Sequence, residues 1–149
     1  MKGVTRGFTL IELLVVVTIM AILLATAIAG FRNYARYQEY DAAVAGVRTA
    51  LVSAQSRARA AQSDVSHGVK FLTTSVVTFQ GTTYSAGAST NTTFSFPNVR
   101  ITTALTGGVT ELTFSPVTGL PNVTGTITIV GTTHEATTTV TITGAGVIQ

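Results

Sequence analysis

The stretch RGFTLIELLVVVTIM, residues 6–20, joins a basic start, a single acid and a long apolar run. Residues 13–31 comprise 19 consecutive residues without a charge. A helix of that length spans roughly 28 Å, which is enough to cross the hydrocarbon core of a bilayer. Glu12 lies directly before this run, where an unpaired carboxylate is costly. The interpretation of the chain therefore depends on which group neutralises Glu12.

The composition predicts a membrane-embedded start followed by one polar domain. The chain has 149 residues, and its apolar excess is concentrated in the first thirty. It contains no cysteine, which excludes thiol catalysis, thiolate metal sites and disulfides. The formal charge of +3 is too small to indicate nucleic acid or an acidic partner by itself.

Four segments follow from the pattern: a leader (1–7), a transmembrane or filament-core helix (8–31), the amphipathic half of the same helix (32–62) and a β-rich domain (63–149). The helical stretch contains no proline and has glycine only at Gly30 and Gly46. Its second half carries an apolar stripe at spacings of three and four residues, which predicts core packing against a C-terminal sheet; a coiled-coil partner is the alternative. The stripe consists of Tyr37, Tyr40, Val44, Val47, Leu51, Ala54 and Ala58.

The C-terminal domain is rich in threonine, valine and glycine and contains short alternating segments typical of strands. Closely spaced turn signals favour antiparallel pairing. The predicted fold class is α+β: a long N-terminal helix, its outer half packed on the sheet, with a C-terminal antiparallel β domain. The predicted strands are 68–72, 75–80, 93–96, 100–103, 111–115, 125–130, 136–143 and 146–148.

Three interpretations fit the N-terminus. It resembles a secretory signal peptide, with small-residue cleavage sites near 25–29 that would release a soluble exported β domain. It also fits a permanent single-pass anchor. In the third interpretation the chain is cut between Gly7 and Phe8, which gives Phe8 a new amine with a pKa of roughly 7.7–8. That cation lies four residues before Glu12, and the spacing allows pairing within the chain or with a neighbouring copy.

The residues RGFTLIE, 6–12, followed by an apolar run, resemble the prepilin-type cleavage and methylation motif of type IV pilins and type II secretion pseudopilins. The resemblance implies that a membrane prepilin peptidase cuts after Gly7 and methylates the amine of Phe8. It assigns to Glu12 the assembly role of meeting the amine of an adjacent subunit. It also implies a single-pass protein of the bacterial inner membrane, with its C-terminal domain on the outer side. Such subunits then join other pilin or pseudopilin subunits through their N-terminal helices in a periplasmic or cell-surface filament.

The C-terminal domain is similar to the GspH/FimT-type minor pseudopilins. The similarity rests on a turn from Phe114 to Gly119, the strand 125–129, and Gly146 with Val147 near the end. It implies a minor, structural subunit of a type II secretion system or a type IV pilus. The lack of a proline in the helix and of a cysteine pair argues against a standard major pilin.

A second interpretation gives the same anchored subunit a binding role. Some FimT-type proteins bind DNA during transformation, and here the candidate basic surface consists of Arg57, Arg59, Lys70 and Arg100. A secreted substrate is the other candidate ligand of the β domain.

The sequence predicts no enzyme, no metal site and no cofactor. His67 and His134 stand far apart, with only Asp64 and Glu135 as nearby acids, and we expect exposed loop or strand-end positions for both histidines. The few acids form no evident catalytic pair, and no nucleophile elbow or dinucleotide loop occurs.

Overall fold

The first element is a single helix of 50 residues, α1 (Leu10–Arg59). The computed structural model describes residues 7–132 and 136–149, without the side chains at 29, 32 and 33. The helix is shorter than the predicted 8–62 at both ends. At its C-terminal end Ala61 adopts a left-handed φ of 49°, and a short 3-10 turn, Gln62–Asp64, follows.

The chain divides into two compact units, Met1–Ala35 and Arg36–Gln149. In the first unit, Leu10–Ile28 belongs to α1 and its side chains are exposed. The second unit contains the rest of α1 and seven strands. The strands are β1 (His67–Phe71), β2 (Ser75–Gln80), β3 (Thr92–Ser95), β4 (Val99–Leu105), β5 (Glu111–Phe114), β6 (Gly125–Gly131) and β7 (Thr137–Ile142).

The strands form two antiparallel sheets rather than the single sheet expected from the sequence. The four-stranded sheet has the order β3-β2-β1-β5, and the three-stranded sheet has the order β4-β6-β7. The chain changes sheet between β3 and β4, between β4 and β5 and between β5 and β6. The first change occurs at Pro97 and Asn98, where the proline cannot donate a hydrogen bond to a ladder. A backbone hydrogen bond of 2.8 Å from Ile101 to Thr73 ties β4 to the turn after β1. The α+β fold class with antiparallel strands is confirmed.

One apolar core joins the second half of α1 to both sheets. The core residues on α1 largely follow the predicted stripe, and the core also includes Ala43 and Ala50, which the stripe did not contain. Tyr37 was wrongly placed on the buried face: it is 55% exposed, and burial begins at Tyr40. Periodicity gives the direction of a buried face but not the point along the helix at which the covering sheet ends. The fully buried large side chains include Val47, Leu51, Val69, Val76, Val99, Leu112, Phe114, Ile127, Ile129, Val140 and Ile142.

Two contacts fix the helix against the β domain. The hydroxyl of buried Tyr40 donates to the hydroxyl of Thr138 on β7 at 2.7 Å. The ring of Phe96 covers Gly46, and a Cβ at Gly46 would lie 2.7 Å from its Cζ atom. The glycine in the middle of this helix therefore makes room for an aromatic ring.

The predicted last strand, 146–148, is wrong. Its place is taken by a tail that turns at Thr143–Gly146 and makes an isolated bridge between Ile148 and Ile142. The left-handed φ of 76° at Gly146 interrupts extended backbone there, so pairing with the end of β7 is confined to the residues that follow it.

Candidate functional site

The expected cleavage point lies in exposed, non-helical backbone directly before α1. Gly7, Phe8 and Thr9 precede the helix, which begins at Leu10. The carbonyl of Thr9 accepts from the amide of Leu13 at 3.2 Å, and its hydroxyl accepts from the amide of Glu12 at 3.3 Å. Thr9 is therefore the N-cap of α1, since its side chain satisfies one of the amides left free in the first turn.

Glu12 is the acid of the first helical turn and is exposed. An acid at this position is favoured by the helix dipole. The amine that we expect to neutralise its carboxylate does not exist in the uncut chain, so this pairing stays a prediction, as do cleavage at Gly7–Phe8 and methylation of Phe8. The leader residues 1–6 lie outside the described residues.

The helix after Glu12 carries the apolar segment. Leu10–Ile28, 19 residues with a mean hydropathy of 2.7, is long and apolar enough to cross a membrane, and none of it is buried. Its two hydroxyl groups are satisfied within the helix: Thr18 donates to the carbonyl of Leu14 at 2.7 Å, and Thr26 to that of Leu23 at 2.9 Å. These hydroxyls therefore add little cost in lipid, where each polar group needs a partner.

Lys70, one of the four candidate DNA-binding residues, is already engaged. Its ammonium group lies 3.4 Å from the carboxylate of Glu111, and the two side chains are only 23% and 24% exposed. It also lies 5.9 Å from the centre of the Tyr84 ring. The register of β1 and β5 places Lys70 opposite Glu111, so the charge of this lysine is balanced locally.

The other three candidates lie on other elements. Arg57 and Arg59 are exposed in the last turn of α1, and the side chain of Arg59 packs against Gly119. Arg100 is exposed on β4. The structure thus distributes the four residues over a helix end and both sheets, and the DNA-binding role stays a prediction.

A buried hydrogen-bonded contact, which the sequence analysis missed, involves Gly119 and Gly146. These are two of the residues on which the similarity to GspH/FimT-type pseudopilins rests. Gln55 is buried on α1, and its side-chain amide donates to the carbonyls of Gly119 at 3.2 Å and Gly146 at 2.7 Å. Phe114 is buried at the end of β5, whereas Val147 is exposed. Gly119 and Gly146 therefore belong to a packed junction between α1 and two turns. A polar residue within the apolar stripe was the only sequence signal for this contact.

His67 opens β1, as a strand-end residue, but it is buried rather than exposed. Its Nε2 atom lies 3.0 Å from the carbonyl of Gln62, because the 3-10 turn lies close to the start of β1, and that carbonyl accepts from the Nε2–H tautomer. His134 lies outside the described residues. Within the described ranges, no group of three or more potential metal ligands occurs.

The comparisons with known proteins agree with the N-terminal pattern. Residues 4–28 match a family model described as the prokaryotic N-terminal methylation motif. No curated protein and no solved structure matches the chain. The matched segment contains Gly7, Phe8, Thr9 and Glu12 and extends through the apolar part of α1. The chain thus carries a methylation motif that supports its resemblance to type IV pilins and pseudopilins.

Proposed function

We propose that this chain is a minor pseudopilin-like structural subunit of a type II secretion system or type IV pilus filament. It acts by assembly and not as an enzyme. The observation that carries the proposal is the methylation motif at residues 4–28, which includes the fully exposed apolar segment Leu10–Ile28 of α1.

The exposed helix accounts for the two locations of such a subunit, first in the inner membrane and then in the filament. In the inner membrane, lipid surrounds Leu10–Ile28, whose side chains are not buried by any of the residues that the structure describes. Exposing one large apolar side chain to water costs about 1.5–3 kcal/mol, and this segment contains many. A subunit that keeps this segment must therefore pass from lipid directly to a bundle of neighbouring helices, whereas a signal-peptide cut near residues 25–29 would remove the segment from the exported domain.

Glu12 selects the position of each subunit in the bundle. After cleavage, the amine of Phe8 is the nearest new cation, and an acid–amine pair is worth most when water is excluded around it. A neighbour whose amine meets Glu12 is held in register, whereas any other register leaves both charges unpaired among apolar side chains.

The minor-subunit assignment is supported by the C-terminal domain. The support is the GspH/FimT-like pattern that includes Gly119 and Gly146, together with a helix that lacks proline and a sequence that lacks cysteine. DNA uptake is the less favoured role, because Lys70 is paired with Glu111 and the three arginines are dispersed.

The proposal is tested by intact mass and N-terminal sequencing of the protein recovered from membranes and from sheared filaments. We expect a chain that begins with N-methyl-phenylalanine at Phe8, and we expect Gly7→Val to remain uncut. A start near Ile28 or Gly30 would show an ordinary signal peptide and overturn the proposal.

A further inference from the structure

Two residues, Phe8 and Thr9, separate the expected scissile bond from the start of α1 at Leu10. A single side-chain hydrogen bond caps this helix start. The amide of Glu12 donates to the hydroxyl of Thr9 at 3.3 Å. In a helix extended by one residue, the same amide would donate to the carbonyl of Phe8, four residues earlier. The hydroxyl of Thr9 therefore competes with the helix for this donor.

Without that competition, the next position at which the helix could be capped is Gly7. Glycine ranks close to threonine as an N-cap, and Gly7 has open space around it. With Gly7 as the cap, the helix would begin at Phe8, and the carbonyl of Gly7 would accept from the amide of Ile11. The carbonyl that must be attacked during cleavage would then be hydrogen-bonded within a helix.

We propose that Thr9 is a positioning residue for processing. Its hydroxyl caps α1 at Thr9, so that the helix does not extend back to Phe8 and the Gly7–Phe8 peptide bond stays in open backbone that a peptidase can bind. The inference rests on the proposed function, because it concerns the same cleavage. In that reaction water adds across the bond, with the hydroxyl going to the carboxyl group of Gly7 and the proton to the amine of Phe8. Thr9 takes no part in the bond changes and acts only through the conformation of the two preceding residues.

The test compares initial rates of leader removal from the full chain in bacterial membrane vesicles that contain a prepilin-type peptidase. Thr9→Val keeps the shape of the side chain but removes the hydroxyl, and we expect cleavage about fivefold slower, as for the loss of a typical cap. Thr9→Ser and Thr9→Asn retain a capping oxygen and should restore the rate. The matched control is Thr18→Val, which removes a hydroxyl bonded within the same helix and should leave the rate unchanged.

A conformational measurement accompanies the rates. Phe8–Thr9 is the only Phe-Thr pair in the sequence, so the full chain labelled with 13C at phenylalanine carbonyls and 15N at threonine gives one resolved carbonyl signal. In Thr9→Val, labelled with 15N at valine instead, we expect the Phe8 carbonyl shift to move towards its helical value.

The outcomes separate the inference from the proposed function. If the native chain is not cut after Gly7, the proposed function fails. If the native chain is cut there and Thr9→Val is cut at the same rate, the positioning role of Thr9 is overturned. It is also overturned if the serine and asparagine variants are as slow as the valine variant, because the peptidase would then recognise the threonine itself.

Discussion

The side-chain amide of Gln55 lies 2.7 Å from the carbonyl oxygen of Gly146, and it also reaches the carbonyl of Gly119 at 3.2 Å. One helical side chain thus joins two turns that are 64 and 91 residues away along the chain. Near this junction, the carbonyl of Ala58 in the last turn of α1 accepts from the amides of Ala61 and Val117, both at 2.9 Å. The junction therefore connects the helix end to the C-terminal part of the β domain.

Replacing Gln55 with methionine should destabilise the β domain by about 1–3 kcal/mol, because two buried carbonyls lose their donor while the side chain keeps its length. The measurement is denaturant unfolding of the full chain in mild detergent, followed by the near-UV circular dichroism of its tyrosines. Gln38→Met, at an exposed position of the same helix, is the matched control. Equal stability of the two variants would contradict the role of the Gln55 hydrogen bonds.

Replacing Gly46 with alanine should destabilise the domain by about 1–3 kcal/mol, the usual cost of overpacking. Helix propensity alone predicts a gain of about 1 kcal/mol, but the new methyl group would clash with the ring of Phe96. The same unfolding measurement applies. Gly30→Ala, which meets open space, is the control and should not lower the unfolding midpoint.

The cause of the Gly46 effect is checked by a double variant. Phe96→Leu shortens the ring that covers Gly46, so adding Gly46→Ala to it should cost less than Gly46→Ala alone. Additive costs would mean that the clash is not between these two residues.

Most of the elements could be predicted from sequence, whereas their partners could not. The apolar stripe of α1 and the alternation in β6, with Ile127 and Ile129 buried, are local patterns that the fold obeys. The division into two sheets depends on which strands pair across long stretches of chain, and strand periodicity does not specify this. The contact between Phe96 and Gly46 is likewise invisible in either local sequence.

The candidate site divides in the same way. Gly7, Phe8 and Glu12 could be proposed from sequence because their motif has a fixed local spacing, and residues 4–28 match the methylation-motif model. The cap at Thr9 was missed, although Thr-x-x-Glu is a readable helix-start signature. The pairing of Lys70 with Glu111 joins residues 41 positions apart and follows only from the register of β1 and β5.

Replacing Val117 with glycine should stabilise the β domain by about 1 kcal/mol. Val117 has a φ of 66° at the centre of a γ-turn closed by a 2.7 Å hydrogen bond from Thr118 to Pro116. A left-handed conformation costs a side-chain-bearing residue roughly 1–2 kcal/mol, part of which is offset by the chain entropy of the new glycine. The side chain is 68% exposed, so its loss removes little packing. The thermal midpoint should rise by a few degrees, because the shift is about 4–8 °C per kcal/mol for domains of 60–100 residues and about 2–4 °C for 150–250 residues, and this unit spans Arg36–Gln149.

Val147→Gly is the control for that gain. Val147 is also an exposed valine near a turn, but it is not among the described residues with positive φ. Glycine should therefore lower the thermal midpoint at this position, and a similar rise in both variants would contradict the strain account.

Replacing Glu12 with alanine should leave membrane insertion and cleavage intact but reduce incorporation into filaments by at least about tenfold. The reason is that the amine of a neighbouring Phe8 would be buried without a partner, which costs several kcal/mol. Cleavage is measured by intact mass, and incorporation by the fraction of protein in sheared filaments. Processed but unassembled protein is the expected result.

The variant Glu12→Gln tests whether charge is what matters at this position. Glutamine keeps the size and hydrogen-bonding capacity of the side chain but cannot offset the positive charge of an amine. It should therefore assemble about as poorly as Glu12→Ala. Normal assembly of Glu12→Gln would mean that a neutral hydrogen bond holds the register. Normal assembly of Glu12→Ala would mean that the apolar surface of α1 alone sets the register of the subunits. In both cases the acid–amine pair would no longer account for the position of Glu12 at the edge of the membrane segment.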